Sequence, residues 1–552
     1  MRKTLKILVV IPARGKSKGI PRKNIRLLNG IPLIAYSIKT ALSIQKIFDA
    51  DIAVDTEDEE IAEIVNQYGI QVIMRPENLA GDEVTLDPVI YHAVCESEKR
   101  RSIKYDIVLT MQATSPVLQL GTLKKALEMF LDGNDDTMIS AVNDAHLSWK
   151  YENGKLIPGY EKRVNRQQLP LSLKETGGFL ISRRSCVTRE GRIGTNVTVF
   201  EIPKEEAIDI DTDYDWKLCE AILKSKRVIL RADGEENLGM GHIYRCLSIA
   251  YHLTGHKILF VTKKKYTLGV KKIEESFFPV RLIEEDEDIY SVIDEFYPDI
   301  VINDILDTEE NYMVKLRRKV SRIVNFEDRG NGAKYADCVI NALYPEKTYK
   351  NVYNGFQYFF IRDEFLTAIP KRFSDEVQKI VVLFGGSDPS DLTRKTYGIF
   401  KRIAKDYPKL EFHIITGFGY KYKNKIVEDK EYRIYIHNDV KRVSRYLAEA
   451  DLAITSQGRT IYELACMGVP SVVLAQNSRE LEHVFASISN GFINLGLGKE
   501  QENETIQSTI EWLIRTPNVR REMHELLLEK DFRRGQDRVI HLILGEKDED
   551  NF

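Results

Sequence analysis

Residues Ile7-Leu-Val-Val-Ile11 run directly into Pro12-Ala-Arg-Gly-Lys-Ser-Lys-Gly-Ile-Pro-Arg-Lys-Asn24, and this junction decides the fold. An unbroken apolar run of this length, rich in β-branched residues, reads as a strand buried on both faces. The turn that follows reads as an anion cradle. Gly15 and Gly19 allow backbone amides to come close to phosphate, and Lys16, Lys18, Arg22 and Lys23 supply positive charge. The crevice beyond a strand's carboxyl end is where open α/β sheets bind ligands.

Outward from the junction the same rhythm repeats. The spacing predicts a helix over Leu33 to Ile47, a strand over Ala50 to Val54, a helix over Asp58 to Tyr68 and a strand over Ile70 to Ile73. Apolar runs separated by amphipathic stretches argue for a parallel sheet covered on both faces. The rhythm restarts at Arg227-Val-Ile-Leu-Arg231, after a predicted helix from Asp213 to Ser225, and again at Lys379-Ile-Val-Val-Leu-Phe384. The fold class is therefore α/β. Three α/β units are expected: a Rossmann-like domain at 1–226, then lobes at 227–372 and 373–552. Neither junction is rich in Gly and Ser, which argues for closely packed units instead of flexible linkers.

The length of 552 residues exceeds what one hydrophobic core supports. With 80 basic and 83 acidic residues the net charge is −3, which argues against a nucleic-acid partner and places phosphate chemistry in local basic clusters. The six cysteines form no Cys-x-x-Cys pair, so neither a zinc site nor a disulfide framework is expected and a reducing cytoplasm is the simpler setting. No apolar stretch approaches the ~20 residues of a membrane span, and no membrane partner is expected.

A second chemical signal is Asp209-Ile-Asp211. In an extended segment residues i and i+2 share a face, so both carboxylates can converge on one divalent cation. Thr212 followed by Asp215 predicts a capping box that opens the next helix.

Taken together, Ile11 to Asn24, Gly30-Ile-Pro-Leu-Ile-Ala-Tyr-Ser37, Arg75-Pro-Glu-Asn-Leu79, Gln112-Ala-Thr-Ser-Pro116, Asn165-Arg-Gln-Gln-Leu-Pro170 and Asp209-Ile-Asp-Thr212 resemble the CMP-sialic acid synthetase family over nearly all of the first 225 residues. The resemblance implies that 1–226 is a Rossmann-like nucleotidyltransferase domain, of a kind that commonly dimerises. It implies that Arg14, Ser17, Lys18, Lys23 and Asn24 hold the CTP phosphates. Gln112, Thr114 and Ser115 would line the nucleotide or sugar side. Arg166, Gln167 and Glu175 would face the acidic sugar, and Asp209 and Asp211 would bind Mg²⁺. Lys16 stands where the family usually has Gly, and Thr176-Gly177-Gly178 replaces its usual Asn-Gly.

The segment from residue 227 carries Arg231-Ala-Asp-Gly, then Gly239-Met-Gly-His242 and Arg245-Cys-Leu. A strand, a glycine turn and a helix that opens with His242 suit a pyrophosphate or the reacting carbon of a sugar. Downstream come Phe384-Gly-Gly-Ser-Asp-Pro389, Ile454-Thr-Ser-Gln-Gly-Arg-Thr460 and Glu463. These motifs resemble the GT-B architecture and, more narrowly, the nucleotide-sugar hydrolase of pseudaminic acid biosynthesis, which releases UDP from a diacetamido-trideoxyhexose. The resemblance implies that His242 positions or activates water, with Gly241 beside it. It implies that Gly241, Gly385, Gly386, Ser387, Gly458, Thr460 and Glu463 hold a UDP-aminosugar. The family's Asp-His-Tyr after a strand reads Asp304-Ile-Leu-Asp307 here. Asp304 is thus a second catalytic candidate, weighed against a surface aspartate at a strand end.

The expected whole is a bifunctional enzyme of nonulosonic acid biosynthesis, joining CTP-dependent cytidylyl transfer, with Lys23 in a catalytic role, to UDP-aminosugar hydrolysis. A glycosyltransferase, or a module that binds nucleotide sugar without turning it over, are the alternatives for the second half. A homodimer through the first domain is expected.

Overall fold

The computed structural model describes residues 5–17, 19–81, 83–235, 239–345 and 350–546. The chain divides into two compact units, Met1–Ser225 and Lys226–Phe552.

The first unit is built on seven strands: β1 Ile7–Pro12, β2 Asp51–Thr56, β3 Gln71–Met74, β4 Ile107–Met111, β5 Thr137–Asn143, β6 Leu173–Arg183 and β7 Val197–Glu201. They lie in the order β7-β5-β6-β4-β1-β2-β3. β1 sits near the middle and is buried along nearly its whole length. The sheet departs from the expected all-parallel form, because β6 runs antiparallel to both β4 and β5. An apolar run such as Phe179-Leu-Ile181 carries no mark of its direction, which is set by the connection through 144–172. One face packs on helices Leu33–Phe48 and Leu120–Asp132, the other on helix Leu86–Arg101. The helix Asp213–Lys224 opens with the expected capping box. The Thr212 hydroxyl accepts from the Asp215 amide, and the Asp215 carboxylate accepts from the Thr212 amide at 2.8 Å.

The second unit holds two wholly parallel sheets. The first comprises β8 Arg227–Ala232, β9 Lys257–Lys263, β10 Val280–Ile283, β11 Ile300–Asp304, β12 Arg322–Phe326, β13 Cys338–Asn341 and β14 Val352–Asn354, in the order β10-β9-β8-β11-β12-β13-β14. The second comprises β15 Lys379–Leu383, β16 Glu411–Thr416, β17 Ile434–Asn438, β18 Leu452–Thr455, β19 Ser471–Ala475 and β20 Phe492–Leu497, in the order β17-β16-β15-β18-β19-β20. Each order reverses beside its first strand, the doubly wound pattern whose switch point forms a ligand crevice. This is the two-lobed GT-B arrangement.

The C-terminus departs from the expected assignment of 373–552 to one lobe. Helix Gly535–Leu544 buries Val539 and Ile543 in the core of the first lobe, and Arg322 donates to the Ile543 carbonyl at 2.8 Å. Its apolar face finds cover against β11 and β13. Among the described residues, no helix is long and apolar enough to cross a membrane.

Candidate functional site

In the first unit, the turn after β1 folds back over the segment before the capped helix. Lys23 donates from Nζ to the Ile210 carbonyl at 2.5 Å and to Asp211 Oδ1 at 3.0 Å. Asn24 donates to the Arg14 carbonyl at 2.9 Å and so closes the turn on itself. The Thr114 carbonyl accepts from the Ile210 amide, and the Gln112 carbonyl from the Ser37 hydroxyl at 3.0 Å. A Cβ on Gly177 would lie 2.9 Å from Asp209 Oδ2 and 3.1 Å from Ser115 Oγ, so the strand backbone approaches both. Lys23, Asn24, Thr114, Ser115, Asp209 and Asp211 therefore converge.

Four side-chain atoms in this group are buried and unpartnered: Asn24 Oδ1, Thr114 Oγ1, Ser115 Oγ and Asp209 Oδ1. Leaving such groups unpaired is costly in a finished fold, and a ligand seated against them would relieve that cost. Burial raises the pKa of the Asp209 carboxyl and the Asp211 charge adds to the rise, while the nearby Thr114 hydroxyl and the Lys23 charge oppose it. A divalent cation would oppose the rise by stabilising both carboxylates. The oxygen donors of Asp209 and Asp211, one unpartnered and one exposed, suit such an ion.

Sequence reasoning missed the support beneath the turn. The Gly15 amide, expected to face phosphate, donates instead to Glu57 Oε1 at 2.8 Å. Arg75 pairs with Glu57 at 3.4 Å and donates to the buried Asp55 at 2.5 Å, and His92 lies 3.0 Å from Asp55. The signal was the Asp55-Thr-Glu-Asp58 run at the end of β2, whose partner Arg75 opens a motif on β3's far side. Arg14 and Lys16 are exposed and Ser17 is half-buried. Lys18 lies outside the described residues. Arg166, Gln167 and Glu175 are exposed, and none of them is bonded to the residues that converge on Asp209.

In the second unit, His242 stands in the first turn of helix Gly241–His252, and its Nδ1 lies 2.6 Å from Asp304 Oδ1 at the end of β11. Asp304 is not a surface residue, being wholly buried. Burial alone would raise its pKa, but Arg245 and His242 hold it well below the usual carboxylate range. Arg245 donates to Asp304 from Nε at 2.6 Å and to Glu327 from Nη1 at 3.0 Å. With Nδ1 committed to Asp304, the Nε2 of His242 has no hydrogen-bond partner among the described residues. His242, Asp233, Lys263, Asp286 and Tyr312 line a cleft of about 390 Å³.

The loops beyond β15, β18 and β19 meet in the second lobe. Gly385 takes a left-handed conformation, φ +79°, and the Gly386 carbonyl accepts from the Gly419 amide. Asp388 caps helix Leu392–Asp406 and accepts from Gln476 at 2.7 Å. Ser387 is buried, Gly458 abuts Glu480, and Thr460 opens the helix Thr460–Cys466. Glu463 is held by Arg362 at 2.8 Å. Gln457, whose Oε1 is buried without a partner, was overlooked although it stands inside the quoted Ser456-Gln-Gly motif. Arg479 of this lobe pairs with Asp307 of the other through two 3.1 Å contacts.

Comparison with known proteins places the first unit. The family described as Cytidylyltransferase matches residues 8–165. The pseudaminic acid cytidylyltransferase of Campylobacter jejuni is 32% identical over 228 residues, 40% of this chain and 97% of its own length. The chain belongs to the cytidylyltransferase family. A second relative of the cytidylyltransferase chain, the uncharacterized protein MJ1062 of Methanocaldococcus jannaschii, is 31% identical over 279 residues, 46% of this chain and 57% of its own length. The chain thus spans little more than half of that relative. A solved structure of MurG from Acinetobacter baumannii aligns with 58% of the cytidylyltransferase chain and 99% of its own, at 13% identity and a TM-score of 0.44.

Proposed function

We propose that residues 1–225 transfer the cytidylyl group of CTP to a nine-carbon acidic sugar of the sialic, legionaminic or pseudaminic type. The observation that carries this reading is the cluster of four unpartnered buried polar atoms beside Lys23. A nucleotide with its phosphates and a cation would satisfy all four. The sugar's anomeric hydroxyl attacks the α-phosphorus of CTP and gives up its proton to solvent. The new O–P bond forms as the bond to the β-phosphate breaks, and pyrophosphate leaves. Asp209 and Asp211 would hold Mg²⁺, which when bound neutralises phosphate charge and polarises the α-phosphoryl group. Lys23, whose ammonium is bonded to Asp211 and the Ile210 carbonyl, would supply its charge to the phosphates. Arg166, Gln167 and Glu175 are proposed to meet the sugar acid. The exposed Trp149, Tyr151 and Leu156, on a hairpin that leaves the sheet, support a homodimer through this unit, and a cytoplasmic setting fits the free cysteines. Asp211→Ala is expected to lose at least ~100-fold in Mg²⁺-dependent pyrophosphate release, since removal of one charge-stabilising group costs about that much. Release at the wild-type rate in that variant would remove Asp211 from the metal site.

For residues 226–552 we propose cleavage of a UDP-aminosugar, with His242 directing water to the anomeric carbon. The supporting observation is the 2.6 Å contact between His242 Nδ1 and buried Asp304, which fixes the ring and frees Nε2 for a proton. UDP-N-acetylhexosamines and their diacetamido-trideoxy relatives, supplied without an acceptor, should yield UDP and free sugar, and His242→Ala should not. Turnover that needs an acceptor would make this half a glycosyltransferase. Binding without turnover would make it a module.

A further inference from the structure

The face of the first sheet that carries helix Leu86–Arg101 holds polar groups for which the nucleotide site has no use. Thr110 pairs with Leu180, Leu180 with Ile139, and Glu175 with Ala141. Alternation along β4 and β5 then puts Thr110, Ile139, Ala141 and Glu175 on one face. This is the face where Val108 packs on Ile90 and Val94 of the helix.

The loop after β6 closes over the same face. Val187 enters its core, and Arg184 and Arg189 each sit 5.9 Å from the Tyr91 ring. Arg192 is anchored by its carbonyl, which accepts from Ser182 Oγ at 2.6 Å. Its Nε lies 3.3 Å from Asp87 Oδ1, and the Glu175 charge also acts on the guanidinium. The Arg192 side chain is 12% exposed, yet its Nη1 is wholly buried with no partner. The hydroxyl of Thr110, which is 3% exposed, is unpartnered as well. A buried charged donor and a buried hydroxyl left unpaired on one face are expensive, unless a ligand takes them up.

The face is contiguous with the nucleotide end. Glu175 is two residues from Gly177, whose backbone abuts Asp209 and Ser115. Its charge selects what enters. Arg192 contributes one positive charge against the carboxylates of Asp87 and Glu175, so a further carboxylate is repelled and a neutral group with both donor and acceptor is favoured.

We propose that Arg192, with Thr110, reads the acylamino substituent of the sugar acid. The Arg192 Nη1–H donates to the amide carbonyl oxygen, and the Thr110 hydroxyl accepts from the amide N–H. The acid's own carboxylate lies elsewhere. This assignment rests on the cytidylyl transfer proposed above.

The test is steady-state kinetics of the full chain with CTP and N-acetylneuraminic acid, against the analogue that carries a hydroxyl in place of the acetamido group. Legionaminic and pseudaminic acids are the other acylamino substrates. Arg192→Met should raise the KM for the acylamino acid by about 10- to 100-fold, the usual worth of a hydrogen bond from a charged group. The KM for CTP and the KM for the hydroxyl analogue should hold to within about twofold, a split that a structural role for Arg192 would not produce. Thr110→Val, nearly isosteric, should show the same split at roughly 3- to 10-fold, which covers the case in which Arg192→Met fails to fold. An equal rise for both acids, a matching rise for CTP, or no change in either variant would overturn the assignment while leaving cytidylyl transfer in place. A wild-type chain that releases no pyrophosphate with any of the three acids would overturn the cytidylyl reading and this assignment with it.

Discussion

Burial pushes Asp304 and Glu480 in the same direction, and their partners decide the outcome. Asp304 meets Arg245 and His242 and stays ionised. Glu480 meets mainly backbone amides, among them that of Gln476 at 2.8 Å, and its pKa is pushed up to about 7. The folded chain therefore keeps a proton on Glu480 that the unfolded chain releases above its ordinary carboxyl pKa. That contribution to stability is complete below pH ~4.5 and is lost as pH rises through ~7. Since Glu480 keeps some contact with solvent, the effect is roughly 1–3 kcal/mol. Glu480→Gln, neutral at every pH, should gain on the wild type as pH goes from 5 to 8, read as a widening difference in denaturant midpoint. A constant difference across that range would show that Glu480 titrates normally. The chemistry at this scale was partly open to sequence. His242 and Asp304 were singled out by motif, but the burial of Asp304 follows from its place inside β11, which a one-residue error in the strand's end conceals.

At the scale of elements, the cradle after β1 depends on one close approach. A Cβ on Gly19 would lie 2.3 Å from the Asp211 carbonyl oxygen, which is backbone and cannot rotate away. Gly19→Ala should therefore push the turn from the Asp209–Asp211 segment, and a misplacement near 1 Å costs on the order of 10²-fold in rate. Gly121→Ala, in the first turn of helix Leu120–Asp132 with open space around it, should leave pyrophosphate release unchanged. Equal activity in the two variants would contradict the account of the turn. The turn was legible because strand, glycines and cations are contiguous in sequence. The capping box at Thr212 was legible for the same reason. The Glu57–Arg75–Asp55–His92 scaffold was not, since its members lie on separate elements and no local pattern pairs them. The reversal of β6 was hidden likewise, because its direction belongs to the connection before it.

At the scale of the molecule, each unit carries its own cores and its own candidate chemistry. The first contains the converging residues from Lys23 to Asp211. The second contains the His242–Asp304 pair at one switch point and the loops around Gly385 and Gly458 at the other. Apolar periodicity announced every restart of the α/β rhythm. It could not show that helix Gly535–Leu544 returns to the first lobe of the second unit, because an amphipathic helix fits any apolar face of matching shape. Cytidylyl transfer is read most simply as pyrophosphate release by the full chain. Each of N-acetylneuraminic, legionaminic and pseudaminic acid is supplied with Mg²⁺ and CTP, or with ATP in its place. Release is expected with CTP and at least one of these acids, none with ATP, and none once the metal is chelated. Release that is equal with CTP and ATP, or that ignores all three acids, would contradict cytidylyl transfer.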